Sequence, residues 1–269
     1  MARDLRGEIV ADVLTIETHG KVRLLTLNRP DVRNALNDAL NEALANAVID
    51  ADADDSIAVT AITGAGSAFC SGDDLRKATD AAAAGKPFRG PLRSHRRSIC
   101  EVLIDARKPT IAIVNGPAVA GGFELALACD LRFAASGARF GIPPAKLGLV
   151  YSLASTKRLV ELVGPGLARD YLFSGRIFGL AEARAAGLVD REYPATDIAA
   201  ETQAYAETLC RRSQCSIRAA KSIIREAVSG ATEESAHIRS LRANAFLGPD
   251  LQEGVRAFRE RRPAAFPWS

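Results

Sequence analysis

Apolar and polar residues alternate through 12–27 (DVLTIETHGKVRLLTL) on both sides of His19-Gly20, which predicts a β-hairpin. Asn28-Arg29-Pro30-Asp31 breaks the second strand, and Asp31 or Asn34 is placed to start the next helix. Leu36, Leu40, Leu44 and Val48 recur every fourth residue, giving one apolar helical stripe. Residues 57–63 (IAVTAIT) read as a short buried strand that ends in Gly64-Ala65-Gly66. The alanine run Ala81 to Ala84, followed by GKPFRGP, makes 76–92 a candidate mobile loop. Helical signal resumes through Ile99, Val102 and Leu103 and stops before Pro109. Residues 110–114 (TIAIV) form a buried strand, NGPAVAGG turns into the helix FELALAC, and LRFAA is the next strand. Beyond residue 150 the pattern is mostly helical, punctuated by Gly164, Gly175, Gly179 and Gly187, with VDREY as a short strand. Three helices are expected from about 195 onward. Strands alternating with helices, then a helical tail, predict an α/β protein with a helical C-terminal region. No fixed-period repeat is present.

Composition narrows the function classes. Of 269 residues, 48% are hydrophobic and 25% charged, enough to bury a sizeable core. The net charge of +3 gives no argument for nucleic acid or a membrane surface as partner. No apolar run reaches the roughly 20 residues of a membrane span, and MARDLRGEIVADVL does not resemble a secretory signal. Cys70, Cys100, Cys129, Cys210 and Cys215 are odd in number and contain no C-x-x-C, so neither a disulfide framework nor a zinc site is expected. Free thiols fit a reducing cytoplasm. His19, His95 and His237 are not spaced as metal pairs, so no metal is expected.

Two strand-to-helix junctions carry the candidate chemistry: GAGSAFCSGDDL at 64–75 and NGPAVAGGFELA at 115–126. Glycine lets backbone approach a ligand closely, and the first helical turn has N–H groups with no intrahelical partner. Two such corners aimed at one spot would form an oxyanion hole. Either stretch alone reads equally well as plain turns. A dinucleotide fingerprint fails because Phe69 stands where the third glycine should be, and no G-x-S-x-G is present for a serine hydrolase. Cys70 reads as a small buried thiol or as a nucleophile, but no histidine is close in sequence.

RPDVRNAL at 29–36, AFCSGDDL at 68–75 and GGFELALACDLR at 121–132 resemble the crotonase (enoyl-CoA hydratase/isomerase) superfamily; FGIPPAKLGL at 140–149 and GLVD at 187–190 add to the likeness. The resemblance spans nearly the whole chain. It implies the ClpP/crotonase fold of repeated ββα units, with an acyl-CoA-binding core over 1–200 and a helical region over 201–269 for trimerisation, trimers often pairing into hexamers. It implies an acyl-CoA thioester as partner and no cofactor beyond the coenzyme A of the substrate. The two N–H groups that polarise the thioester carbonyl fall on Asp73 and Gly121. Around them, Arg33, Ala35, Ser71, Asp74, Leu75, Arg76, Gly122 and Pro144 map to the CoA and substrate surface. Arg33 and Arg76 stand near the phosphates, where fixed positive charge is favourable, and Asp74 reads as a cap for the next helix. Lys221 is a candidate for the adenosine phosphate of a neighbouring subunit. Each of these basic residues reads equally as a solvated surface charge.

The family hydratases use two glutamates. The first matches Glu124, which reads either as a base or as a carboxylate satisfying the start of its own helix. The second should follow F-G-x-P, but Phe140-Gly141-Ile142-Pro143 is followed by Pro144, which cannot titrate. LGLVYSL at 147–153 resembles the methylmalonyl-CoA decarboxylase branch, with Tyr151 placed to orient a carboxylate or reprotonate an enolate, or simply to pack. Arg93, Arg96 and Arg97 could attract an acidic acyl group or form a solvated face. Three readings follow: a hydratase/isomerase-type enzyme, a decarboxylase of a methylmalonyl-CoA-like substrate, and a non-catalytic acyl-CoA binder.

Overall fold

The computed structural model describes residues 2–3, 9–11, 13–85 and 98–267. Two short strands, β1 (Ala2–Arg3) and β2 (Ile9–Ala11), lead into the predicted hairpin of β3 (Leu14–His19) and β4 (Val22–Leu27). A 3-10 turn at Pro30–Val32 follows, and the helix α1 (Asp38–Ala53) starts only after it, capped by the Asn37 side chain accepting from Leu40 N–H at 2.9 Å. Neither Asp31 nor Asn34 starts α1. Arg33 and Asn34 both sit at positive φ (52° and 57°), a conformation that cannot continue a right-handed helix.

Strand β5 (Val59–Gly64) precedes α2 (Arg76–Ala83), so the first part of the expected 76–92 loop is helical; residues 86–92 of it, with Arg93, Arg96 and Arg97, lie outside the described residues. Then come α3 (Ile99–Asp105), β6 (Thr110–Val114), β7 (Ala118–Val119), α4 (Gly121–Ala128), β8 (Leu131–Ala135) and β9 (Arg139–Gly141). The single turn α5 (Pro144–Leu147) precedes the long α6 (Leu153–Ser174), which breaks at Gly164-Pro165. Next are β10 (Ile177–Gly179), α7 (Leu180–Ala185) and β11 (Arg191–Tyr193). Four helices finish the described chain rather than three: α8 (Ile198–Cys210), α9 (Gln214–Val228), α10 (Ala236–Leu247) and α11 (Pro249–Glu260). Gly248-Pro249 separates the last two, because proline opens a helix at its first position and cannot donate within one.

The main sheet has eight strands in the order β1-β2-β3-β4-β5-β6-β8-β11, antiparallel from β1 to β4 and parallel from β4 onward. Its central parallel strands are buried on both faces, which is why they read as unbroken apolar runs. Leu25, Leu27, Ile62, Ala112 and Val114 pack toward α1, α3 and α4, while Val22, Ala61, Ile111, Ile113 and Phe133 face Ile198 and Ala206 of α8. Helix α8 thus completes the core and straddles the expected boundary at 200. A second sheet, β10-β9-β7, stands beside α4. Its strands have two or three residues each, too short to show a period in the sequence.

Candidate active site

Helix α4 is buried around most of its circumference by Phe123, Leu125, Ala126 and Leu127. Phe123 meets Phe140 of β9 with ring centroids 5.4 Å apart and Phe178 of β10 at 6.0 Å, locking the helix against the small sheet. At its C-terminal end Arg158 Nε donates to the Leu127 carbonyl at 2.9 Å. Its N-terminus has no side-chain cap, and the preceding Ala120 is held at φ 52°, ψ −128°. The first-turn N–H of Gly121 therefore has no acceptor among the described hydrogen bonds.

The 64–75 corner is pressed onto this helix start. Val119 N–H donates to the Cys70 carbonyl at 3.0 Å, and Cys70 and Ala118 form an isolated parallel bridge. Gly122 is explained by this crossing: a Cβ there would lie 2.2 Å from the Cys70 carbonyl oxygen. Gly72, at φ 97°, meets the start of α4 itself. A Cβ on it would sit 2.7 Å from Ala120 Cβ and 3.1 Å from the Gly121 nitrogen. Standard bond lengths then hold the amide nitrogens of residues 73 and 121 within about 7 Å of each other, so both border the same small space. Asp73 N–H has no acceptor on another described residue; only its own carboxylate reaches back toward it.

The loop before α1 braces the same corner. Asn34 is fully buried, accepts from Arg29 N–H at 2.9 Å, and donates to the Ala65 and Ala68 carbonyls, both at 2.9 Å. Ser71 N–H donates to the Arg33 carbonyl and Ser71 Oγ to that of Val32. Arg29 donates to the carbonyl of the buried Ala35, and Leu36 pairs with residue 73 as a parallel bridge. Arg33, Ala35, Ser71, Gly72, Asp73 and Asp74 are thereby gathered on one side of the α4 start.

Asp74 does not face the reacting centre. It accepts from Arg29 at 2.9 Å and from Arg76 at 2.9 Å and 2.5 Å, and also takes the Arg76 backbone N–H at 3.2 Å. Those bonds, Arg76 foremost, hold its carboxyl far below the usual range. Arg76 and Leu75 are exposed beside it, as is Arg33. Cys70 is buried with its Sγ on the Asn34 carbonyl, and burial pushes its thiol up to about 12, so it stays protonated. Among the described residues no group of three His, Cys, Asp or Glu could hold a metal ion.

Glu124 lies one helical turn beyond Gly121, on the same face of α4. Its carboxylate is not turned back on its own helix. Oε2 instead accepts from Ser155 Oγ at 2.5 Å, and Ser155 is tied to Ser152, the N-cap of α6. Burial raises the Glu124 pKa, and the charge of Asp73 adds to this; Ser155 and Tyr151 act the other way. Tyr151 packs against the core with its hydroxyl buried and without a well-formed hydrogen bond. Burial first, then the Glu124 and Asp73 charges, drive its pKa far upward, so it is a neutral donor facing Glu124. Pro144 is buried at the first position of α5, where the family's second carboxylate would stand.

Two further expected positions have partners within this chain. Lys221 Nζ is bonded to Asp130 Oδ2 at 2.7 Å and the Lys108 carbonyl at 2.9 Å. Asp130 follows the C-terminal end of α4, the opposite end from the two amides, so in this chain Lys221 anchors α9. Gly122 is buried against the Cys70 carbonyl. Sequence reading missed Ser155, whose signal was the Ser152-Leu153 helix start after Tyr151. It also missed the side chain of Asp73, whose Oδ2 lies 3.3 Å from where a Gly121 Cβ would be. A hollow lined by Lys21, Cys210, Arg211, Arg212 and Phe266 among others shares no residue with this corner.

The enoyl-CoA hydratase/isomerase family model matches residues 17–268. The 2,3-dehydroadipyl-CoA hydratase of Escherichia coli K12 is 35% identical, covering 94% of this chain and 98% of its own. The crotonyl-CoA hydratase of Syntrophomonas wolfei is 33% identical over 94% of this chain and 97% of its own. The solved enoyl-CoA hydratase of Mycobacterium tuberculosis H37Rv superposes with a TM-score of 0.84 at 31% identity, covering 96% of this chain and all of that one. With the repeated strand–helix core and the two glycine corners in place, this chain belongs to the enoyl-CoA hydratase/isomerase family and is an enzyme that processes acyl-CoA thioesters.

Proposed function

We propose that this enzyme adds water across the double bond of a 2-enoyl-CoA, holding the thioester oxygen between the N–H groups of Asp73 and Gly121. The observation that carries the reading is the pairing of two amides that have no acceptor on another described residue with a carboxylate one helical turn away. Glu124, oriented by Ser155 and facing Tyr151, takes a proton from water. The resulting hydroxide attacks C3, and the electrons of the double bond move onto the thioester oxygen as an enolate. Both amides are fixed by packed backbone, so no reorganisation is needed when the charge develops. A proton then reaches C2. Coenzyme A is part of the substrate and no other cofactor is required. Arg33 and Arg76, exposed beside Ala35, Ser71 and Leu75, supply positive charge for the CoA phosphates.

Helices α10 and α11 carry exposed Phe246, Leu247 and Phe258, supporting assembly of the 201–269 region into a homotrimer or a hexamer. No helix of the described residues is long and apolar enough to cross a membrane, and free thiols suit a cytoplasmic setting. Turnover assays separate the readings. The proposal expects crotonyl-CoA to lose its enoyl absorbance and methylmalonyl-CoA to release no carbon dioxide. Carbon dioxide release without hydration would replace it by the decarboxylase, and tight binding with neither signal by the binder.

A further inference from the structure

The family's two-carboxylate hydration needs an acid for C2, and position 144 here is a buried proline. Within the described corner, a second carboxyl stands beside Gly121. Asp73 Oδ2 lies 3.3 Å, and its carboxyl carbon 3.6 Å, from the place a Gly121 Cβ would occupy. Gly121 and Glu124 share a face of α4 with about 5–6 Å between Cβ positions, so the two carboxyls flank one helical turn. The side chain of residue 73 leaves the same Cα as the amide that holds the carbonyl oxygen. C2 is bonded to that carbonyl carbon, so a group extending from residue 73 past Gly121 runs alongside C2.

Resting on the hydratase reading, we propose that the Asp73 carboxyl is the second acid–base group of this enzyme, delivering the proton to C2 in place of the carboxylate missing at 144. Glu124 begins ionised and Asp73 protonated. Glu124 accepts a proton from water, the hydroxide oxygen bonds to C3, and the double-bond electrons form the enolate. The enolate carbon then takes the Asp73 proton. The enzyme is left with Glu124 protonated and Asp73 ionised, and transfer of that proton from Glu124 to Asp73 restores the start. Atoms and charge balance as one water added per turnover.

The surroundings fit these roles. Among the described residues no cationic side chain is bonded to Asp73, whereas Asp74 beside it is clamped by Arg29 and Arg76. Among the described residues, groups that sense its charge include Glu124 from α4, Cys100 from α3, Tyr151 ahead of α6, and Cys70 from its own loop. Burial raises the pKa of both carboxyls, but Ser155 and Tyr151 act to lower that of Glu124, and only its own backbone N–H does so for Asp73. A neutral acid also spares the nearby enolate a repulsion that an ionised one would impose.

Asp73→Asn tests this, since it keeps the backbone N–H and nearly the same shape. Three quantities are measured on the full chain: kcat for crotonyl-CoA, its pH profile, and Kd for unreactive butyryl-CoA. The expected result is a kcat loss of about 10²–10⁴-fold, disappearance of the alkaline limb, and Kd within roughly threefold of wild type. A kcat within that same margin overturns the proposal, as does a matching loss of butyryl-CoA affinity, which would make residue 73 a binding side chain. Absence of hydration by the wild-type enzyme instead removes the parent reading.

Discussion

Replacing Gly72 by alanine should damage stability and catalysis through one contact. The new Cβ would be placed 2.7 Å from Ala120 Cβ and 3.0 Å from the Val119 carbonyl oxygen, both backbone-fixed. Carbon atoms pack comfortably at about 3.5–4.0 Å, so the 64–75 corner must move off the start of α4. Holding alanine at φ 97° costs roughly 1–2 kcal/mol, and overpacking adds roughly 1–3 kcal/mol. A combined loss of about 2–5 kcal/mol lowers Tm by roughly 5–15 °C for a chain of this size. Because the same atom would lie 3.1 Å from the Gly121 nitrogen, the two amides also lose their common focus. Turnover should fall about 10²–10³-fold, the cost of one oxyanion donor. Gly137→Ala is the matched control: φ is 88°, but no atom lies within 4 Å of the added carbon. It should show the conformational cost alone and full activity. Thermal unfolding and crotonyl-CoA hydration read both effects. If Gly72→Ala is no less stable than Gly137→Ala and keeps its turnover, the crossing does not set the amide geometry.

Glu124→Gln should lower kcat by about 10²–10⁴-fold while the chain stays folded. Its stability relative to wild type has a definite pH sign. Burial raises the folded pKa of Glu124 above its unfolded value, so the ionised form is penalised only in the native state. The advantage of glutamine is therefore absent below the unfolded pKa, grows as pH rises through the folded one, and then levels off; urea unfolding across pH would contradict this if the gap narrowed as pH rose. Ser155→Ala removes a bond that lowers the Glu124 pKa, so the acid limb of the kcat/KM profile should move to higher pH, and an unmoved limb would show that Ser155 does not tune the base. Asn34→Ala should cost about 2–4 kcal/mol by stranding the Ala65 and Ala68 carbonyls and Arg29 N–H, measurable as a drop in the denaturant midpoint.

What could be read in advance followed from periodicity and from glycine. The β3–β4 hairpin and the buried strands β5, β6 and β8 announce themselves because a two-residue alternation or an unbroken apolar run survives over five or six positions. The small sheet does not, since Ala118–Val119 and Ile177–Gly179 are held by partners distant in sequence. The start of α1 was misplaced because Asn34, a good cap by type, spends its side chain on two loop carbonyls. Position 144 showed by its chemistry alone that one carboxylate was missing. Where Asp73 points could not be read that way, because its direction is set by how Gly72 meets Ala120 across two loops. The same holds for Ser155, brought to Glu124 only by the packing of α6 on α4.

The most direct measurement is a crystal structure with an unreactive acyl-CoA bound, reading the distances from the thioester oxygen to the nitrogens of Asp73 and Gly121. Both should fall at about 2.7–3.1 Å, with the Asp73 carboxyl beside C2. A thioester oxygen bonded to only one of these nitrogens, or lodged outside this corner, would contradict the account.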